Sequence, residues 1–224
     1  MAVGLFILFQ ERTFADALAI RLEREPDFDV VAAPDISTQP SRLFASRRVD
    51  VVLLDADLPD DAAFRVCEEL SQTPDAPHVI LLSRFNAPER IVRGIRAGAA
   101  GWVRKDEPLS RLIYVIRGVA RGETWLPQDQ TGEVLQLLMR RPDDDEGSDQ
   151  VLAALTDRER EVLICLAEGR MRHDVAEHLH MSPNTVRTHL QNLMTKLGVH
   201  SALEAVAVTR RMLDDDLPKP ELPC

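Results

Sequence analysis

Cysteine and lysine are both scarce in this chain. The three cysteines, Cys67, Cys165 and Cys224, lie far apart and match no disulfide framework or zinc-ligand spacing. A cross-linked secreted scaffold and a thiolate metal centre are therefore not expected, and the thiols read as reduced groups of a cytosolic protein. Long hydrophobic runs are missing as well. The opening stretch VGLFILF spans only seven residues and has no basic lead, too short for a membrane span and wrongly flanked for a signal peptide. No internal repeat is evident. Lysine occurs only at positions 105, 196 and 219, so each lysine is a candidate for a particular role.

What is present is enough for two modest domains. The chain has 224 residues, 45% of them hydrophobic, and a formal net charge of −10, which suits globular protein. The acidity is uneven. Residues 1–140 hold 17 basic and 21 acidic groups, residues 141–150 hold one and five, and residues 212–224 hold one and four. Only residues 151–211 are not acidic, with eight basic and seven acidic groups. Whole-chain charge is thus a poor guide to whether the protein meets nucleic acid.

From the start, aliphatic runs alternate with segments of helical period. Residues 3–9, 28–33, 49–55, 78–83 and 100–104 read as strands, and 13–24, 37–46, 62–72, 88–97 and 107–121 as helices. Strands that are apolar throughout suit a parallel sheet covered on both faces. The expected fold is a doubly wound α/β domain with a five-stranded parallel sheet, followed by a small all-α domain. In such sheets ligands sit beyond the carboxyl ends of the strands, where strand order reverses. Asp55 ends the third strand in VVLLDADLP, and Gln10 and Glu11 follow the first. After a helical stretch at 130–140, RRPDDDEGSD offers nothing apolar to bury and reads as a linker. The expected boundaries are 1–123 for the first domain, 124–150 for the linker, 151–213 for the second domain and 214–224 for an acidic tail.

The second domain is well punctuated. Thr156 with Glu159, and Ser201 with Glu204, form capping boxes. Ser182, Pro183 and Gly198 mark the cap, first residue and end of a helix. A short helix at about 172–179 precedes it across HMS, which makes a helix-turn-helix. Val186, Leu190, Leu193 and Leu197 form its apolar stripe. The opposite face carries Asn184, Arg187, Thr188, Gln191, Asn192 and Thr195, side chains able to meet base edges and phosphates. The segment from LTDRERE to LEAV resembles the LuxR-type helix-turn-helix domain along its whole length. That resemblance implies base reading by Arg187, Thr188 and Gln191, and phosphate contacts by Thr185, Asn192 and Lys196. It implies double-stranded DNA as partner and a homodimer, with Ala202, Ala205 and Val206 on the pairing helix. Met171 stands where the family usually has a Ser or Thr cap.

The first domain resembles a response-regulator receiver, and the whole chain resembles the NarL/FixJ family of transcription regulators. The resemblance implies that Asp55 takes a phosphoryl group from a sensor histidine kinase, with Ser83 and Lys105 as pocket partners and Trp102 as the switch aromatic. It also implies Mg²⁺, held by Glu11, Asp55 and the backbone carbonyl of Asp57. Gln10 replaces one acid of the usual pair and weakens that site, while the Asp57 side chain is expected to be solvated. Control by a small ligand or protein partner instead of phosphorylation is the alternative. Two enzyme readings are weaker. Asp55-x-Asp57 resembles the haloacid-dehalogenase phosphatases but lacks their later acidic pair. His173, Asp174, Glu177 and His178 share a helix, but their spacing misses a zinc motif by one residue.

Overall fold

The computed structural model describes residues 2–32, 48–73, 76–139 and 154–215. The expected helix at 37–46, the acidic run 141–150 and the end of the tail lie outside them. The chain divides into two units, Met1–Val134 and Leu135–Cys224.

The first unit is built on strands β1 (Val3–Leu8), β2 (Phe28–Ala32), β3 (Val51–Asp55), β4 (His78–Ser83) and β5 (Ala99–Arg104). All four pairings are parallel, in the order β2-β1-β3-β4-β5. Every residue of β3 is buried, as its unbroken apolar run requires of a central strand. Helices α1 (Arg12–Leu22), α2 (Ala62–Ser71), α3 (Pro88–Arg96) and α4 (Leu109–Ala120) cover the sheet. Leu5, Ile7, Val51, Leu53, Ile80 and Leu82 form one core with α1 and α4. On the other face α3 comes close at Gly94, where a methyl group would lie 2.7 Å from Leu81 Cδ1.

Residues beyond 123 still belong to this unit, so the linker expected from residue 124 does not start there. The Trp125 amide donates to Ala100 O at 2.9 Å, and Trp125 O accepts from the Trp102 amide at 2.9 Å. Trp125 is thereby strapped beside β5. Its ring packs edge-on against Tyr114 of α4, with centroids 5.1 Å apart. Helix α5 (Thr131–Met139) follows.

The second unit contains α6 (Asp157–Ala167), α7 (Arg172–His178), α8 (Pro183–Leu197) and α9 (Ala202–Asp215). Its core of Leu155, Val162, Leu163, Val175, Val186, Leu190, Leu193 and Val199 is aliphatic, and the sequence holds no aromatic residue after Trp125. The punctuation works as the sequence implies. Thr156 and Glu159 form a capping box at α6, Ser182 Oγ accepts from the Thr185 amide at 3.1 Å, and Gly198 ends α8 at φ 67. At α9 the box is shifted: Ser201 Oγ accepts from Glu204 N, but the Glu204 carboxylate reaches the His200 amide at 3.3 Å. Helix α7 begins at Arg172 despite Met171, because Asp174 Oδ2 accepts the Met171 amide at 3.3 Å. Among the described residues no helix is long and apolar enough to cross a membrane. No group of three His, Cys, Asp or Glu side chains there could hold a metal ion.

One ion pair joins the first and third helices of this unit. Glu159 is 3% exposed, and its Oε2 lies 2.7 Å from Lys196 Nζ and 2.8 Å from the Thr156 amide. Burial would raise the Glu159 pKa, but Lys196 and the Thr156 groups outweigh it and hold it below the ordinary value. Lys196→Met should therefore leave a buried charge half-satisfied and cost about 2 kcal/mol in urea unfolding near neutral pH. The pH dependence follows in sign. A depressed folded pKa gives stability that is fully present above the unfolded glutamate value of about 4.3. It is lost as pH falls through the lower folded value. Glu159→Gln should flatten that acid limb, measured by helical circular dichroism between neutral and acid pH.

Candidate functional site

The carboxyl ends of β3, β4 and β5 bring three expected residues together. Parallel register pairs Asp55 with Leu82, and Ser83 with Arg104, so Asp55, Ser83 and Lys105 emerge from neighbouring strands at one edge. The Lys105 amide donates to Ser83 O at 2.8 Å, which fixes the β5–α4 turn against β4. Lys105 Nζ then reaches Asp55 Oδ1 at 2.6 Å. Asp55 is 4% exposed and Ser83 is fully buried. A carboxylate so removed from water needs partners, and Asp55 Oδ1 also accepts the Asp57 amide at 2.9 Å.

Asp57 departs from expectation. Its side chain is only 12% exposed and turns into the pocket instead of toward solvent. Asp57 Oδ1 accepts from Ser83 Oγ at 2.7 Å, and Oδ2 accepts from the Arg84 amide at 2.9 Å. Lys105 Nζ lies 3.1 Å from the same Oδ2, and Arg84 Nε 3.4 Å from it. Burial would raise the Asp57 pKa, but the bonds from Ser83, Arg84 and Lys105 hold it below the ordinary value. The physical reason for the inward turn is this set of donors, which water would otherwise have to satisfy in a closed space. Two left-handed residues follow, Asp60 at φ 52 and Asp61 at φ 55, before α2 starts. Arg93 pairs with Asp61 at 2.7 Å, and an Arg90 nitrogen donates to Ala56 O at 2.8 Å. Together they brace the loop from α3.

Trp102 is buried, and its Nε1 donates to Asn86 Oδ1 at 3.1 Å. The indole is thus tied to the loop that begins at Ser83. Phe85, in that loop, gives its amide to Ser83 Oγ at 3.1 Å and leaves its ring 69% exposed. Neither Asn86 nor the Arg84 amide was singled out in the sequence. The alignment of strand ends was the signal that could have found them.

The oxygen donors for a divalent cation are few. Gln10 and Glu11 are both exposed at the start of α1, and Gln10 offers a neutral amide. Asp55 Oδ1 is already taken by Lys105 and the Asp57 amide, and both Asp57 side-chain oxygens are engaged. What remains for a cation is Glu11, the second Asp55 oxygen and the Asp57 carbonyl. This fits Mg²⁺ poorly, since that ion favours a near-octahedral shell of oxygens.

In the helical unit, Val186, Leu190 and Leu193 face the core, while Thr185, Thr188, Asn192 and Lys196 are exposed and Arg187 and Gln191 half-buried. Thr188 Oγ1 is turned back to Asn184 O at 3.0 Å, and Thr185 Oγ1 lies 2.8 Å from Ser182 Oγ. Arg172, not singled out in the sequence, has its pKa lowered chiefly by burial and secondarily by the charge of Arg187. Lys196 is held by Glu159, as described above. Ala205 is fully buried in the unit's own core and Ala202 packs against it, so of the three residues expected on a pairing face only Val206 is left outside.

Comparison with known proteins agrees with this division. Residues 7–117 match the response regulator receiver domain, and residues 153–209 match the bacterial regulatory proteins of the luxR family. The transcriptional regulatory protein UhpA of Escherichia coli K12 is 34% identical over 190 residues, which cover 85% of this chain and 87% of that protein. The transcriptional regulatory protein LiaR of Bacillus subtilis 168 is 29% identical over 198 residues, covering 87% and 90%. Among solved structures, the two-component response regulator RcsB in complex with DNA matches with a TM-score of 0.54 at 18% identity, over 94% of this chain and 99% of that one. That likeness concerns the fold. With a receiver sheet, a LuxR-type helical domain and full-length relatives of this kind, the chain belongs to the NarL/FixJ family of response regulators, which are DNA-binding transcription regulators and not enzymes.

Proposed function

We propose that Asp55 is the phosphoryl acceptor through which a sensor histidine kinase controls this regulator. The observation that carries the reading is Lys105 Nζ at 2.6 Å from Asp55 Oδ1, with Ser83 at the end of the adjoining strand. In the transfer, an Asp55 oxygen forms a bond to phosphorus while the bond from phosphorus to the donor imidazole nitrogen breaks. The imidazole keeps that electron pair and takes a proton from solvent. Lys105 and the Ser83 hydroxyl are placed to hold the phosphoryl oxygens as charge shifts onto Asp55. Mg²⁺, where bound, would neutralise charge on that group. With Gln10 in place of an acid, we expect its binding through Glu11, Asp55 and the Asp57 carbonyl to be weak. The protein works in the cytoplasm on this reading, as a homodimer.

Helix α8 enters the major groove. Arg187, Thr188 and Gln191 approach base edges, and Thr185 and Asn192 lie toward phosphates. Lys196 adds positive charge at the end of α8 while remaining tied to Glu159. Leu203 joins Val206 as partly exposed apolar groups of α9, and among the residues whose burial is described they are candidates for pairing two such domains. A second reading, switching by a ligand or protein partner without phosphoryl transfer, is favoured by Gln10 and by the tethered Trp102.

Intact mass after incubation with acetyl phosphate is expected to show one added phosphoryl group, absent in Asp55→Asn. Lys105→Ala should slow the gain by about 10²-fold. No gain under any condition, with or without Mg²⁺, would move the regulator to the second reading. On DNA, Arg187→Ala should cost about 1–3 kcal/mol and relax preference at one base position. A loss equal on all sequences in a binding assay would make Arg187 a phosphate contact instead.

A further inference from the structure

Three donors from two adjacent strand ends converge on a carboxylate that is not the acceptor. The Ser83 hydroxyl, the Arg84 amide and the Lys105 ammonium lie at 2.7, 2.9 and 3.1 Å from the oxygens of Asp57. Ser83 is fully buried and Lys105 nearly so. Lys105 also holds Asp55, so one ammonium is shared by two carboxylates. A buried hydroxyl, an amide and a cation arranged around anionic oxygens form an oxyanion cradle. In this chain the cradle already contains an anion supplied by the chain itself.

We propose that the Asp57 carboxylate is the resident occupant of the subsite that phosphoryl oxygens on Asp55 would use, so that an incoming phosphoryl group must displace it. This rests on the reading of Asp55 as acceptor. The Ser83 hydroxyl and the Arg84 amide carry one hydrogen each and cannot serve both groups, whereas the Lys105 ammonium is shared. Displacement releases a carboxylate whose other neighbours are the Arg84 guanidinium, 3.4 Å away, and the aqueous mouth of the pocket. Two effects follow. Transfer to Asp55 is slowed, because the cradle must first be vacated. Ser83 and the loop from Arg84 to Asn86, which leads to Trp102, are held inward against an anion before any phosphoryl group arrives.

The test uses the full chain, labelled with ¹⁵N, and two probes. Inorganic phosphate is titrated while the Arg84 backbone amide resonance is followed, and mass spectrometry times phosphorylation by acetyl phosphate. In Asp57→Ala the Arg84 amide should shift upfield, then move back saturably as phosphate fills the cradle. The unaltered protein should not respond over the same range, and Asp57→Asn should lie between them. Acetyl phosphate should label Asp57→Ala at least about tenfold faster than the unaltered protein. The proposal fails if Arg84 responds alike in both proteins, if it responds in neither, or if both proteins are labelled at the same measurable rate. A response confined to Asp57→Ala, with no labelling of any protein, would keep Asp57 as occupant and remove Asp55 as acceptor.

Discussion

The receiver pocket depends on one cation placed among acids in a space with little water. Lys105 is carried there by the end of β5, and its backbone amide is fastened to β4 through Ser83 O. From that anchor its ammonium meets both Asp55 and Asp57. Without it, two carboxylates separated by a single residue would repel each other in a poorly solvated site. The rest of the site is arranged around this charge balance. Ser83 and the Arg84 amide divide the Asp57 oxygens between them, the Asp57 amide steadies Asp55, and α3 braces the intervening loop through Arg90 and Arg93.

The same logic operates at smaller scale in the helical unit. Glu159 is a capping residue and a buried ion-pair partner at once, so the start of α6 and the last turns of α8 are set by one side chain. The attraction between aliphatic core groups is non-directional. Caps and the buried Glu159–Lys196 pair add angular definition that helps α8 present one face outward.

Much of this was legible in the sequence, and the limits have physical causes. Asp55 could be placed because it ends an apolar run at the edge where parallel strands finish, while Ser83 and Lys105 came from the resemblance to receivers, and the strand register then brings all three together. The recognition helix could be delimited because Ser182, Pro183 and Gly198 act locally, through backbone bonds a few residues away. The inward turn of Asp57, the Glu159 partner of Lys196 and the burial of Ala205 were not legible, for the opposite reason. Their surroundings come from residues 26, 37 and many positions distant in sequence, and no local pattern shows which way a side chain turns. A short acidic side chain after a strand reads as solvated until the donors of the next strand are seen beside it. Likewise a lysine on a polar helix face reads as a surface charge until a buried glutamate appears beneath it.

The distribution of aromatic rings has an optical consequence. Both tryptophans and the single tyrosine belong to the first unit, where Trp102 is bonded to Asn86 in the loop after Ser83 and Trp125 is strapped along the sheet edge against Tyr114. Light absorbed near 290 nm, and the emission that follows, therefore originates in the receiver alone. The DNA-reading domain is silent there and is visible only through the far-ultraviolet signal of its backbone. The receiver thus has a spectroscopic window of its own in the unlabelled protein, whereas the far-ultraviolet signal sums the backbones of both domains.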